Sequence, residues 1–216
     1  MIVEAGNILK GFLEPFLVGG SGDNQFIDKL AGVVKPITKV DLDKDNKPVK
    51  KTFPVSCDAS LSDCFASGRY KDFIPNSSLG CMVYFEDVAN QYLGRDGRKF
   101  AWKAQYRLVC WLNQNKLGAA GCSVTSQIIT TFISAFPENP FNSGIFQRGE
   151  VSVLAQDPKS FNPFAKYSYD EEKTQFLMHP FDYFSLQIEY KYMLDKACFT
   201  PFTKNEEINW KIAKKI

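Results

Sequence analysis

The chain has 216 residues, of which 44% are hydrophobic and 14% aromatic, so it can build a sizeable core and is not disordered throughout. Its 26 basic and 24 acidic residues leave a formal net charge of +2. That balance excludes a general attraction to nucleic acid or to an anionic membrane, because such attraction needs a concentrated basic surface. Only a local patch could supply one.

Cysteine and histidine usage gives no sign of catalysis or metal binding. The six cysteines include no CxxC pair, and the two nearest in sequence, Cys57 and Cys64, have six residues between them. We therefore expect reduced thiols that behave as small hydrophobes, and no zinc site. The single histidine, His179, precedes Pro180. The loops typical of serine hydrolases, P-loop proteins and dinucleotide-binding proteins are absent, so we expect no enzyme and no cofactor.

Residues 1–32 are predicted to form a helical arm. Apolar residues from Ile2 to Val18 recur at nearly helical spacing, and Pro15 with Gly19 marks the end of the pattern. The stretch lacks a basic leader and is interrupted by charges, so we expect neither a targeting signal nor a membrane span. Two arrangements remain open: an arm that docks on a neighbouring molecule, or a helix that packs on its own domain.

Residues 35–57 are predicted to form a two-stranded ribbon. Two alternating stretches flank a polar cluster, Asp43 to Pro48, which supplies turn-forming residues. Lysines make this the most basic local segment of the chain: Lys44, Lys47, Lys50 and Lys51. A solvated hairpin tip explains these lysines better than a phosphate contact does.

Residues 79–113 are predicted to form a long β-hairpin around Gly94-Arg95-Asp96-Gly97, where the Asp-Gly pair suits the positive φ of a tight turn. Glu86-Asp87 interrupts the first arm and predicts a bulge or a change of partner. The second arm, KFAWKAQYRLVCWL, alternates with a period of two throughout.

The second arm of the hairpin presents two different faces. Apolar residues on one face are predicted to lie under the next helix: Phe100, Trp102, Tyr106 and Leu108. Polar residues on the other face, Lys103, Gln105 and Arg107, are predicted to point outward. In an assembly, outward residues of this kind contact a neighbouring subunit or line a channel.

The remaining elements complete an α+β fold. Helical spacing and Pro137 predict a helix over residues 123–136, although its many β-branched residues also suit a strand. Strands are predicted at 145–156 and 183–194, followed by a tail, 196–216. The predicted fold is a single α+β domain, 33–195, with an antiparallel sheet, a long hairpin and one main helix packed on it, and with extended N- and C-terminal arms.

This order of elements resembles the tail-terminator and neck-ring proteins of tailed bacteriophages. The resemblance is carried by the hairpin Leu79 to Asn113, the helix Ser123 to Phe136 and the closing strand Tyr183 to Leu194. It implies a tail-terminator-like fold and a homo-oligomeric ring that joins capsid portal and tail in the virion, after assembly in the host cytoplasm. Neighbouring rings would be its partners, and DNA could pass through its lumen. The candidate subunit or lumen contacts are Lys103, Gln105, Arg107, Arg95, Lys44 and Lys47.

Nucleic-acid binding is the alternative function. Aromatic residues that could stack bases are predicted near basic ones: Tyr106, Trp111, Tyr190 and Tyr192 near Lys103, Arg107 and Lys191. The same aromatic residues also suit a core or a subunit interface. The two interpretations differ in whether the aromatic rings are accessible.

Overall fold

The computed structural model describes residues 2–19, 24–42, 45–57, 72–118, 123–168 and 176–196. These residues form one seven-stranded sheet with two helices on one of its faces. The helices are α1 (Ile2–Leu13) and α2 (Ser123–Ala135). The strands are β1 (Lys29–Leu42), β2 (Pro48–Ser56), β3 (Cys81–Asp96), β4 (Lys99–Asn113), β5 (Phe141–Ser143), β6 (Phe146–Gln156) and β7 (Phe181–Asp195). Beyond Lys196, the predicted tail lies outside the described residues.

The strand order across the sheet is β2-β1-β3-β4-β7-β6-β5. The predicted α+β class is therefore confirmed. The prediction of an antiparallel sheet needs one correction, because β1 pairs with β3 in parallel while the other neighbours are antiparallel. Parallel pairing requires a long connection between the two strands. Here β2 and residues 57–80 connect β1 to β3. This connection is long enough for β3 to start at the same end of the sheet as β1.

The predicted long hairpin is formed by β3 and β4. Its loop is Gly97-Arg98, since Asp96 pairs with Lys99, and the turn therefore lies one residue later than the sequence suggested. Gly97 has a φ of +57°, as expected for glycine at the first central position of a two-residue turn. The predicted interruption near Glu86 is a bulge, because the register shifts between Asp87 and Ala89.

Helix α1 packs on the sheet of its own chain, which is the second of the two arrangements considered above. Ala5, Leu9 and Leu13 are completely buried in the core between the helices and the sheet. The Tyr106 hydroxyl donates a hydrogen bond to the carbonyl oxygen of Ile2 at 2.7 Å. Because β1 starts at Lys29, the sheet also begins inside the segment predicted as an arm.

The predicted helix over 123–136 is confirmed as α2, but it lies over β7 rather than over β4. The Phe132 ring lies 6.0 Å from the Phe184 ring of β7. Helix α1 is the one that contacts β4, so it takes the place that the sequence assigned to α2. Gly6 lets α1 lie close to β1 as well, because a Cβ atom there would clash with Val33.

Each face of the sheet carries its own core. The larger core lies under the helices and includes Leu108 and Cys110 of β4. The smaller core lies on the opposite face and includes Val109 and Trp111. The strand segments that lie between the two cores are residues 29–34, 81–86 and 104–112, and we call them the base of the sheet. Beyond the base, most residues of 35–42, 48–52 and 87–96 are exposed, and we call these ranges the distal half.

Candidate contact surfaces

A row of charged and amide side chains lies on the sheet face opposite the helices. In the pairing of β4 with β7, Lys103 lies opposite Lys191, Gln105 opposite Glu189, and Arg107 opposite Gln187. The predicted outward residues of β4 therefore stand side by side on one face. We call the following set the polar stripe: Glu86, Lys103, Gln105, Arg107, Asp157, Lys166, Gln187, Glu189 and Lys191.

Arg107 is fixed between two carboxylates and a ring. Its Nε donates a hydrogen bond to Asp157 Oδ2 at 2.8 Å, and its Nη1 lies 3.8 Å from Glu86 Oε2. The guanidinium stands over the Phe161 ring, 4.3 Å from the centroid. A cation over an aromatic face gains a further electrostatic attraction. With its side chain only 22% exposed, Arg107 is a positioned cation rather than a mobile surface one.

Asp157 accepts hydrogen bonds from three side chains. Besides Arg107, these are Ser185 Oγ and Gln187 Nε2, each at 2.6 Å. Burial raises the pKa of Asp157, but the hydrogen bonds from Ser185, Gln187 and Arg107 outweigh it and hold the pKa below its ordinary value. The carboxylate therefore stays charged at neutral pH.

Glu86 is the buried anion at the β3 end of the stripe, with a side chain that is 5% exposed. The Tyr167 hydroxyl donates to Glu86 Oε1 at 2.8 Å, and Lys166 Nζ lies 2.7 Å from Glu86 Oε2. A buried carboxylate is costly unless it is paired and hydrogen-bonded, and Glu86 is both. Lys166 and Tyr167 lie in the loop that follows β6, so their contacts with Glu86 hold this loop against the sheet.

Glu189 is the anion at the other end of the stripe. It lies 3.5 Å from Lys103 Nζ and 3.2 Å from Lys191 Nζ. Burial raises the pKa of Glu189, but hydrogen bonds from Lys191 and Gln105 and the attraction of both lysines lower it below its ordinary value. The stripe thus holds four cations and three carboxylates in contact, and it presents little net charge to a partner.

The other candidate residues lie apart from the stripe. Arg95 is exposed near the hairpin tip, where its Nε donates to the Gly97 carbonyl oxygen at 2.8 Å. Lys47 is 74% exposed at the turn of the ribbon, 4.0 Å from Asp45. Lys44 lies outside the described residues. The structure therefore brings together three of the six candidates.

The aromatic residues predicted to accompany the basic ones do not share their face. Tyr106, Tyr190 and Tyr192 are buried under the helices, and burial raises the pKa of all three phenols. Trp111 is buried in the smaller core, where its Nε1 donates to the Phe176 carbonyl oxygen at 2.6 Å. The predicted face on which bases would stack beside lysines and arginines is therefore not present, because these rings serve as core.

The ribbon of β1 and β2 carries exposed apolar side chains that were not predicted from the sequence. Val40 is 59% exposed and Leu42 is 58% exposed. Both lie on the same side of β1 as Val34, whose side chain belongs to the smaller core. The sequence signal for this surface was that Val34, Val40 and Leu42 are an even number of positions apart, which places them on one side of a strand. The neighbouring lysines obscured this signal.

A cleft of about 540 Å³ lies beside the start of α2 and contains the only histidine. It is lined by Gln114, Asn115, Thr125, Ser126, Ile129, Gln156, Lys159, His179, Phe181 and Asp182. Thr125 Oγ1 donates a hydrogen bond to Asp182 Oδ2 at 2.6 Å. Among the described residues that line the cleft, none is a cysteine, so these residues bring no thiol to His179 of the kind a nucleophilic Cys–His pair requires.

The described cysteines lie elsewhere. Cys81 and Cys110 are buried in the larger core with their sulfurs 3.8 Å apart, and both are free thiols. Burial raises the pKa of Cys110 well above its ordinary value, so that thiol is neutral. Cys57 is partly buried and packs against the larger core. These side chains contribute to packing.

No protein-family model and no curated protein sequence matches this chain. Among the residues that the structure describes, no helix is both long and apolar enough to cross a membrane. Within the same residues, no group of three or more metal-ligating side chains converges. Among the described residues, the polar stripe and the exposed side of the ribbon are the candidate contact surfaces.

Proposed function

We propose that the chain is a non-enzymatic structural subunit that assembles into a homo-oligomeric ring in the neck or tail of a tailed bacteriophage, where it joins capsid portal and tail. The observation that carries the proposal is the ribbon, a two-stranded extension that leaves the body of the sheet with apolar side chains in solvent. The order of hairpin, helix and closing strand supports the tail-terminator-like part of the proposal.

The ribbon is suited to contact a second copy. Among the described residues, no pairing joins β1 to β3 beyond Val34 and Glu86, whereas the pairing of β1 with β2 continues to Leu42. An isolated two-stranded ribbon is only marginally stable in water. Burial of Val40 and Leu42 against a neighbour would contribute about 1.5–3 kcal/mol each. A ring repeats such a head-to-tail contact at every subunit boundary.

The polar stripe is suited to a subunit boundary or a lumen wall. Lys191 and Lys166 are half exposed, whereas their carboxylate partners Glu189 and Glu86 are largely buried. Affinity for DNA grows with the number of phosphates that a protein neutralises. Since most of the positive charge in the stripe is neutralised within the subunit, DNA would pass such a wall without being held by it.

The test compares two double variants of the ribbon by light scattering during size exclusion. Val40→Ser with Leu42→Ser removes the exposed apolar side chains, and we expect the subunit contact to weaken by about a hundredfold, which follows from about 3 kcal/mol of lost burial. The control, Lys39→Ser with Lys51→Ser, changes residues paired on the opposite side of the ribbon and should retain the assembly.

Two outcomes would contradict the proposal. One is a wild-type chain that stays monomeric at every concentration. The other is an assembly that survives the apolar double variant as well as it survives the control. Monomers that bind oligonucleotides with a steep salt dependence would instead favour the alternative function.

A further inference from the structure

The outer edge of β3 is open in the distal half of the sheet. On one side β3 pairs with β4 up to Asp96, whereas on the other side it pairs with β1 only as far as Glu86. Among the described residues, no strand pairs with that side of residues 87–96. Such an edge presents backbone donors and acceptors to any extended segment.

The backbone groups that point toward this edge follow from the two neighbours of β4. The Asn113 N–H donates to Gly80 on the β3 side, and the Arg98 carbonyl oxygen accepts from Lys196 on the β7 side. Odd-numbered residues of β4 therefore bond to β3, since the direction alternates along a strand. Because Ala104 and Trp102 are even-numbered, their partners on β3 direct their N–H and C=O groups outward. These partners are Asn90 and Tyr92.

The distal part of β1 has a matching edge. The Cys57 N–H donates to the Val33 carbonyl oxygen at 2.9 Å, so the odd-numbered residues of β1 bond to β2. The even-numbered Thr38 and Val40 consequently direct their N–H and C=O groups away from β2. This is the side on which β3 lies at the base of the sheet.

The other edge of the ribbon, on β2, is closed to pairing. The Thr52 N–H donates to Ser168 Oγ at 2.9 Å, and the Thr52 carbonyl oxygen accepts from the Ser168 N–H at 2.8 Å. Pro48 and Pro54 face the same edge and have no N–H to donate. Prolines of this kind protect an edge strand from further pairing. Of the two edges of the ribbon, the β1 edge is therefore the one suited to strand addition.

Both open edges carry exposed apolar side chains. On β3, Val88 is 52% exposed, Tyr92 48% and Leu93 47%. On β1, Val40 and Leu42 are exposed to a similar degree. An exposed apolar edge strand promotes association with another strand.

We propose that residues 38–42 of one copy add as a strand to the outer edge of residues 87–93 in the next copy. This inference rests on the proposed ring and names the surface that receives the ribbon. In the pairing, Val40 lies opposite Gln91: its N–H donates to the Asn90 carbonyl oxygen, and its own carbonyl oxygen accepts from the Tyr92 N–H. Each copy gives one ribbon and receives one, so the contact is head-to-tail and repeats around the ring.

The added strand is parallel to β3. Within one chain β1 and β3 are already parallel, so an antiparallel pairing between copies would relate them by about a half turn, which closes a dimer rather than a ring. Parallel pairing also matches the faces of the two strands. Val40 lies on the same side of β1 as Val34 of the smaller core, and Gln91 pairs with Lys103 on that face of the sheet.

Charge favours a second copy as the occupant of the β3 edge. Residues 35–42 and 45–51 of the ribbon contain five lysines and two aspartates, whereas residues 87–96 contain two aspartates and one arginine. A net positive ribbon thus meets a net negative edge, which favours this pairing. In the proposed register Lys39 lies opposite Asn90, on the same face of the sheet as Asp87.

The test measures amide hydrogen exchange, resolved to single residues, in the assembled full-length chain and in the monomer obtained by dilution. We expect the Asn90 and Tyr92 amides to exchange at least about tenfold more slowly in the assembly, because the ribbon of the next copy covers them. The amides of Ala89 and Gln91 are internal controls. They face β4 of the same molecule and should exchange equally in both states.

A pair of proline variants tests which edge of the ribbon makes the contact. Val40→Pro removes a donor from the β1 edge without removing a bond to β2, and it should return the Asn90 and Tyr92 amides to their monomer rate. The matched control is Lys50→Pro. Lys50 pairs with Val40, and its N–H faces the opposite edge of the ribbon, so this variant should keep the protection.

Three results would overturn the inference. The first is an assembly in which the Asn90 and Tyr92 amides exchange as fast as in the monomer, and it would leave the proposed ring intact. The second is protection that persists in the monomer, because the same molecule would then cover the edge. The third is equal protection in Val40→Pro and Lys50→Pro. A chain that never assembles would instead contradict the proposed function, and the inference with it.

Discussion

The base and the distal half of the sheet contain the same strands but differ in what covers them. In β3, residues Cys81 to Phe85 are completely buried, whereas residues 87–93 are exposed. The strand nevertheless continues to Asp96, because β4 pairs with it along its whole length. Cross-strand pairing alone thus extends this strand, while burial on both faces occurs only at the base. The buried base therefore stabilises the fold, whereas under the proposed function the distal half makes the subunit contacts.

The largest expected effect is in the base. Trp111 is fully buried, lies 5.4 Å from the Phe181 ring, and donates its indole hydrogen bond to the Phe176 carbonyl oxygen. Trp111→Ala should lower the free energy of unfolding by about 3–5 kcal/mol in urea denaturation. Val40→Ala, in the distal half, should change it by less than about 0.5 kcal/mol. Comparable losses in the two variants would remove the distinction between base and distal half.

A smaller effect is expected in the polar stripe, and it depends on pH. The depressed pKa of Asp157 stabilises the folded state above the unfolded pKa, and this contribution is lost as the pH falls through the folded pKa. Asp157→Asn should therefore cost about 1–2 kcal/mol at neutral pH, and the difference from the wild type should shrink in acid.

Urea denaturation of the Asp157→Asn variant from neutral pH to pH of about 3 measures this difference. Asp45→Asn is the control, because Asp45 is 76% exposed at the ribbon turn. A gap between wild type and Asp157→Asn that stays constant down to the lowest pH would show that the charge of Asp157 does not stabilise the fold.

The smallest effect is expected at the tip of the distal half. Gly97 has a φ of +57°, and Gly97→Ala should cost about 1 kcal/mol because a Cβ disfavours that conformation. Gly11→Ala is the matched control, since Gly11 lies in α1 and an added Cβ there would meet no atom within 4 Å. That variant should gain about 0.5–1 kcal/mol. Thermal unfolding of both variants measures the change in the midpoint temperature of each. Equal changes of the same sign would contradict the assigned turn.

The local elements were predictable from sequence where one pattern dominates. The alternation of Lys99 to Leu112 predicted β4, and helical spacing with Pro137 predicted α2. The position of α1 was left open, because an amphipathic helix does not specify which surface it covers. The parallel pairing of β1 with β3 was also missed, since strand patterns say little about which strands become neighbours.

The same limit applies to the contact surfaces. A period of two was enough to place Lys103, Gln105 and Arg107 on one face. Their partners Glu86, Asp157 and Glu189 come from three other parts of the chain, and only the register of β3, β4, β7 and β6 brings them together. The surroundings of the aromatic residues were left open for the same reason, because an alternating tyrosine suits both a core and a binding face.

Electron microscopy of the purified full-length chain tests the central proposal most directly. We predict closed rings of a single copy number, with the ribbon of each subunit, residues 35–56, in contact with the next subunit. A field of uniform monomers at every protein concentration, or rings in which the ribbon points into solvent, would contradict the assignment of the distal half to subunit contacts.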